Sequence, residues 1–419
     1  MKYTKINNKY YDLTNFKHPG GETALWHSYG RDATILFRSH HPFVSENKLE
    51  TILKKYEISE LPKGVKLYPN EENVPTFNYD TNFSNELKSE VKKYFNKQSN
   101  LNNIRLLEAT KATYSRWTII TLLTLIKIFC NILWIKGYWS SILLFPLFDW
   151  LSDVNVFHDG SHFALSLNQN INLYFAYIFG ISLTNVQYWA QQHNVAHHGY
   201  SNIYKKDPDL HVSLTKYHEK IQAKLSPWKQ ILITFTLFWT KGVTIVPISL
   251  IYKSVTRHFM IPIKFWNIYT FLFERFIYLF FYILLPFFLF DFYKALCFSL
   301  IPRIIYSLMF MFNSQITHIH TPCMIQDNDW YAHQVITSTN HGMDKWFNFI
   351  FSGGLNYQIE HHLFPNINHC HLPYIQPIVK RICKKHNIEY KEFNGYYDAL
   401  LSYYKHIVML NKTDNNFNK

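Results

Sequence analysis

The chain has 419 residues, with 42 Lys and Arg set against 29 Asp and Glu, for a formal net charge of +13. A basic balance of this size suits nucleic acid or the anionic face of a membrane, and no zinc-finger, RNP-like or P-loop pattern supports the first. The cysteines Cys130, Cys297, Cys323, Cys370 and Cys383 are scattered with no CxxC, which argues against a disulfide scaffold and a thiolate metal site.

Mean hydropathy is only -0.15 although 18% of the residues are aromatic, so apolar side chains must be gathered into segments. The first residues carry no apolar core of a cleavable signal peptide. Tyr10 to Lys17 predicts a short strand and turn, and His18-Pro19-Gly20-Gly21 a rigid turn. A short helix starts around Gly30-Arg31-Asp32-Ala33-Thr34, carries Leu36 and Phe37, and ends near His40-His41. Residues 60 to 104, punctuated by Pro62, Gly64, Pro69 and Pro75, read as a linker. Within it, Glu86 to Gln98 forms an amphipathic surface helix with Leu87, Val91, Tyr94 and Phe95 on one side.

Trp117 to Ile135, with a single Lys127, is the first run able to span a membrane. Trp139 to Trp150 continues to about Phe157, interrupted by Pro146 and Asp149, and Lys136-Gly137-Tyr138 leaves room only for a tight connection. The two make a hairpin. Crossing roughly 30 Å of hydrocarbon takes about 20 residues, so the second arm ends close to His158. Ile171 to Val186 lies flat, dips in and returns, or stands above the bilayer. Trp228 to Tyr252 suggests an interfacial helix pair, while Phe271 to Phe290 and Cys297 to Phe312 suggest spans despite Glu274, Arg275, Pro302 and Arg303. The basic run Lys380 to Lys385 favours the cytosolic side.

Three histidine stretches stand beside these runs: His158-Asp159-Gly160-Ser161-His162, His193-Asn194-Val195-Ala196-His197-His198, and Gln358-Ile359-Glu360-His361-His362. On helices, His158 and His162 share a face, as do His193 and His197, and Gln358, His361 and His362. Imidazole suits iron, and donors from several helices can hold a pair of ions. His318, just past the last span, is a further ligand candidate, with Asn313 or Gln315 acting through water; His320 faces elsewhere if the helix continues. Trp330, His333, Gln334, Asn340 and His341 form an outer cluster, a substrate loop or surface. Asp159, Asp329 and Glu360 are the candidates to orient bound imidazoles from behind.

Residues 10 to 43 resemble cytochrome b5. The resemblance implies a haem b held by His18 of the HPGG turn and by His41, with Gly30, Asp32, Ala33, Thr34 and Phe37 matching the family pattern and His40 an adjacent alternative. Met1 lies so close to this motif that a sheet lacking its first strand is expected. Two axial histidines leave no open iron position, so such a haem carries electrons. Residues 108 to 385 resemble membrane fatty-acid desaturases, specifically the front-end group with a fused cytochrome b5, whose mark is the Gln at position 358. That resemblance implies a mainly α integral membrane protein with four transmembrane helices under a cytosolic helical cap, plus a small α+β haem domain. It implies two non-haem irons held by His158, His162, His193, His197, His198, His318, His361, His362 and Gln358.

It further implies an O2-dependent enzyme placing a cis double bond between an existing one and the carboxyl end, of the delta-5 or delta-6 type. The acyl chain is carried on CoA or a phospholipid, and electrons come from NADH through a separate cytochrome b5 reductase. The protein is expected in the endoplasmic reticulum membrane with termini and histidines in the cytosol. The expected layout is haem domain 1–60, linker and helix 61–104, desaturase domain 105–400 and polar tail 401–419. Alternatives are a sphingoid long-chain-base desaturase, a lipid hydroxylase, or a non-catalytic haem-bearing membrane protein.

Overall fold

A computed structural model describes residues 2–67, 75–182, 185–211, 215–221, 225–240 and 268–417. The second half of the expected 228–252 helix pair lies outside the described residues.

The N-terminal module begins with β1 (Tyr3–Ile6) and β2 (Lys9–Asp12), antiparallel, with β3 (Glu57–Ile58) on the other edge of β2. Asn7 and Asn8 form the two-residue turn at φ +49° and +65°, a conformation asparagine tolerates better than most residues. A strand therefore precedes the one read from Tyr10; it was overlooked because it is only Tyr-Thr-Lys-Ile, too short a run for alternation to stand out. Helices α1 (Glu22–Trp26), α2 (Thr34–His40) and α3 (Glu46–Leu53) close this module over Ile6, Tyr11, Leu13, Leu25, Tyr29 and Leu53.

Helix α4 (Asn82–Asn102) starts at Thr81, whose hydroxyl accepts from Ser84 N, and stops at Asn103 in the left-handed region. It is no tether. Leu87, Val91 and Phe95 are wholly buried against the Trp330–Ile336 and Leu372–Lys385 helices, so the stretch read as a linker helps form the largest core. The stretch from 401 read as a polar tail belongs to a helix, Tyr396–Phe417. Its Tyr403 and Ile407 pack with Tyr217 and Phe235, at a spacing that the polar residues between them hide.

Among the described residues, three helices are long and apolar enough to cross a membrane: α5 (Tyr114–Ile135), Leu272–Leu289 and Phe292–Gln315. The arm returning from α5 is α6 (Ser141–Ser152), which continues without a break through a wider turn at Asp153–Phe157 into His158–Ser161. The outer ends of this hairpin meet, since Ala112 N donates to Leu165 O at 3.2 Å. Its turn meets the turn of the second hairpin on the far side, where Lys294 Nζ lies over the rings of Trp139 and Phe290. The 171–186 run resolves largely into one helix, Gln169–Phe179, packed on the His158–Ser161 segment. At about 1.5 Å per residue its 11 residues cannot cross.

Four of the charges that interrupt the apolar runs pair with one another. Lys127 of α5 lies 2.8 Å from Asp149 and 3.4 Å from Asp153, while Arg303 reaches Asp149 at 3.3 Å and the hydroxyls of Tyr306 and Ser182 each donate to Asp153 at 2.6 Å. Removing one partner of a buried pair strands the other and costs about 3–5 kcal/mol. Lys127→Met is therefore expected to lower the unfolding temperature of the detergent-solubilised chain, and adding Asp153→Asn to recover part of the loss. Unchanged melting of Lys127→Met, read by size-exclusion of heated samples, would show that the network contributes nothing.

Candidate metal centre and haem module

Each histidine stretch reaches the centre by a different local device. The first rides on the extension of α6, and its Gly160 lets the Gln169–Phe179 helix approach: a Cβ there would stand 2.9 Å from Asn172 O. The second lies in a widened helix, Ala190–His197, in which His198 N bonds to His193 O, five residues back, at 3.0 Å. Such wide turns recur at functional sites. This one brings His193 and His198 within 3.3 Å at their Nε2 atoms, a pairing that ordinary helical spacing does not provide. The third follows Gly353 and Gly354, both at positive φ; a Cβ on Gly353 would meet Val154 O at 2.4 Å, in the wide turn ahead of His158.

The result is two adjoining groups. His158, His162, His193 and His361 bring ring nitrogens within 4.8 Å of one another, and so do His197, His318 and His362. His198 stands between the groups, its ring 4.6 Å from those of His162 and His361 and stacked 4.2 Å from that of His362. Gln358 Nε2 lies 2.8 Å from His318 Nε2, and turning the amide over presents its oxygen there instead. All nine predicted ligand residues are brought together.

These rings fit cations. Both nitrogens of His162, Nδ1 of His158 and His198, and Nε2 of His361 and His362 are buried with no hydrogen-bond partner among the described residues. Leaving one such buried atom unpaired costs about 1–3 kcal/mol, so a convergent set of them calls for a partner from outside the chain. Burial pushes His158, His162, His193, His198, His361 and His362 well below the ordinary imidazole range, and His318 to about 3. Neutral rings keep their lone pairs for a metal, and imidazole with a carboxamide oxygen suits iron.

Four rings are held from behind. His318 Nδ1 pairs with Thr337 O at 3.0 Å and His362 Nδ1 with Gln334 Oε1 at 2.9 Å. His197 Nδ1 lies 3.1 Å from Asp207 and 3.5 Å from Asp209; burial works against its protonation, but the two carboxylates outweigh it and raise the ring to about 9. His361 Nδ1 pairs with His369 Nε2 at 3.1 Å, while His369 Nδ1 bonds Gly353 O and lies 3.3 Å from Asp159. Asp159 is itself fixed by Arg116 at 3.0 Å and Asn368 at 2.9 Å. Sequence reasoning missed Asp207, Asp209, Thr337 and His369. The acidic pair in Lys-Lys-Asp-Pro-Asp, so soon after His198, was the available signal for two of them.

Of the residues expected around the ligands, Gln334 stands directly behind His362 and Asp159 takes such a place through His369. Glu360 accepts from Asn340 at 2.7 Å and Tyr390 at 2.8 Å, because the residue before His361 projects from another side of the helix; burial raises it to about 7. Asp329 caps the Trp330–Ile336 helix through Tyr331 N and Ala332 N. Asn313 bonds Met309 O and Tyr396, and Gln315 bonds Ser314. Both precede the helix end, so their register does not carry over to His318. His320 bonds Ile316 O and Ser402, and His333 bonds Ser201 O. The His341 ring packs on Tyr396.

In the N-terminal module the rings of His18 and His41 face each other at 5.9 Å, flanked by Phe16 and Phe37. His41 Nδ1 pairs with Phe37 O at 2.8 Å, so its Nε2 is the nitrogen left for a metal, while His18 Nδ1 lies 2.9 Å from Gly20 N. Burial lowers His18 to about 4 and lowers His41 also. Two neutral imidazoles opposed across an apolar cleft fit the axial positions of a haem. His40 instead bonds Leu36 O and Ser39.

Histidine sites that fit a haem and a pair of metal ions thus stand on one chain whose apolar helices fit a membrane. The comparisons agree: the Fatty acid desaturase family matches residues 107–394 and the Cytochrome b5-like Heme/Steroid binding domain matches residues 2–62. The chain belongs to the fatty acid desaturase family, with a cytochrome b5-like domain fused at its N-terminal end. Similar proteins include Delta(5) fatty acid desaturase A of Dictyostelium discoideum, 26% identical over 97% of this chain and 89% of that one. An Acyl-lipid (8-3)-desaturase of Physcomitrium patens is 28% identical over 98% and 88%, and Delta(8)-fatty-acid desaturase 2 of Arabidopsis thaliana 24% over 94% and 86%. No solved structure matches the chain.

Outer hydrogen bonds to metal-bound histidines are worth about 10–100-fold in metal affinity. His369→Ala is expected to lower the non-haem iron content of the purified protein while haem absorbance stays at the wild-type level. An unchanged iron-to-haem ratio under chelator challenge would reduce His369 to packing.

Proposed function

We propose that this desaturase is of the front-end type, adding a cis double bond between an existing one and the carboxyl end of a polyunsaturated acyl chain. Delta-5 or delta-6 placement fits, and the names carried by several relatives favour delta-5. The observation that carries the reading is the pair of adjoining groups of buried imidazoles, with Gln358 beside His318. His158, His162, His193 and His361 hold one iron, His197, His318 and His362 the other, with His198 and Gln358 completing the set. Bound there, the irons supply O2-dependent cleavage of an unactivated C–H bond, which no side chain can perform.

What the polypeptide contributes is placement. Asp207, Thr337, Gln334 and the Asp159–His369 pair hold four imidazoles from behind and fix the directions of their rings. His18 and His41 bind haem b, which takes electrons from NADH through a separate cytochrome b5 reductase. The return arm Ser141–Phe157 makes a fourth crossing with the three apolar helices, setting the histidines on the cytosolic face of the endoplasmic reticulum membrane. The substrate is an acyl chain on CoA or on a phospholipid.

Expression in a host without polyunsaturated lipids, fed defined C18, C20 and C22 fatty acids, tests this. The expected product is two hydrogens lighter, with its new double bond on the carboxyl side of the first existing one, and His361→Ala abolishes it. A product heavier by one oxygen would replace the desaturase with a hydroxylase. A double bond on the methyl side would contradict the front-end reading.

A further inference from the structure

The haem module does not hang from a free tether; it is seated on residues that flank all three histidine stretches. The His27 ring lies 6.0 Å from Phe163, next to His162. Arg31 Nη2 donates to Gln191, just ahead of His193, and Ile35 lies against Gly199, next to His198. Phe43 stacks on Phe364 at 6.0 Å. Beyond His362 in the same segment, Asn366 Nδ2 donates to the backbone carbonyl of His40 at 3.1 Å. Lys111 Nζ binds both Asn366 O, at 2.8 Å, and Phe163 O, at 3.0 Å, which braces the exits of the first and third stretches together.

Contacts between domains of one chain are usually small and polar, and relative motion is the default. Here the contacts are spread over the edges of the whole histidine cluster and include buried groups, among them Arg31, His27 and Phe364. One of them is special in its position. The Asn366–His40 hydrogen bond joins the peptide next to His41 to the segment that carries His361 and His362. Electron tunnelling weakens less along covalent and hydrogen bonds than across a gap, so this contact is the natural bridge between the two metal-binding parts.

We propose that the haem module is docked permanently over the histidine cluster and that Asn366 is the residue through which its electron crosses, by the hydrogen bond to His40. The inference rests on the desaturase reading given above. One electron leaves ferrous haem for the iron pair at each crossing, and two crossings, each refilled from the reductase, serve one double bond. Asn366 acts by position: it touches neither substrate nor metal.

Stopped-flow oxidation of the pre-reduced haem in the full-length, iron-loaded protein tests the route. With substrate and O2, Asn366→Leu is expected to slow haem oxidation at least tenfold. Haem reduction by NADH and reductase, the haem spectrum and the iron content remain those of the wild type. If the leucine variant loses haem or iron, Asn366→Asp, equal in shape but unable to donate, carries the same expectation. Oxidation at the wild-type rate in a loaded variant overturns the route alone. Wild-type haem that is oxidised no faster with substrate than without it overturns the desaturase reading beneath it.

Discussion

A cluster of imidazoles sealed from water, most of them held uncharged by burial, is the constraint on which the rest of this structure depends. A histidine in water is stable with or without a proton; a buried one with no partner is not stable in either form. His162 has neither nitrogen bonded and is buried among three other histidines, which is tolerable only when something else takes up the lone pairs. The surrounding polar groups approach from behind and leave the inner nitrogens open. The same economy shapes the local backbone: a widened helix at 190–197 and two glycines at positive φ are the distortions needed to aim the donors inward.

The membrane part is arranged to deliver those donors to one place. Two hairpins meet at their far turns, through Lys294 and Trp139, and the outer ends of the first meet beside the histidines. Buried charges that would be unfavourable singly form a neutral set of two cations, Lys127 and Arg303, and two anions, Asp149 and Asp153. That set fixes the register of α5, α6 and the Phe292–Gln315 helix below the metal centre, so helix packing and site geometry are parts of one arrangement.

Much of this was legible in the sequence because it depends on short-range spacing. The HPGG turn, the three histidine stretches and the apolar runs are each set by residues a few positions apart, and the lone Gln358 marks its stretch by type. What could not be read depends on contacts between distant segments. Helix α4 resembles a surface helix until its Leu87, Val91 and Phe95 find a partner near the other end of the chain. His369 reads as one more polar residue until Gly354 lets it come behind His361; a Cβ on that glycine would overlap its side chain. Glu360 and Asp329 were misassigned for the complementary reason, because closeness in sequence to a ligand does not set the direction of a side chain.

The haem module gains its meaning from the same convergence. It is held against residues that border all three stretches. The most direct test of the whole account is the metal content of the purified, full-length protein. Two non-haem irons per haem, released together when His162 and His362 are replaced by alanine while the haem remains, are what these paired groups require. Haem without stoichiometric non-haem iron, or iron retained after both replacements, would contradict it.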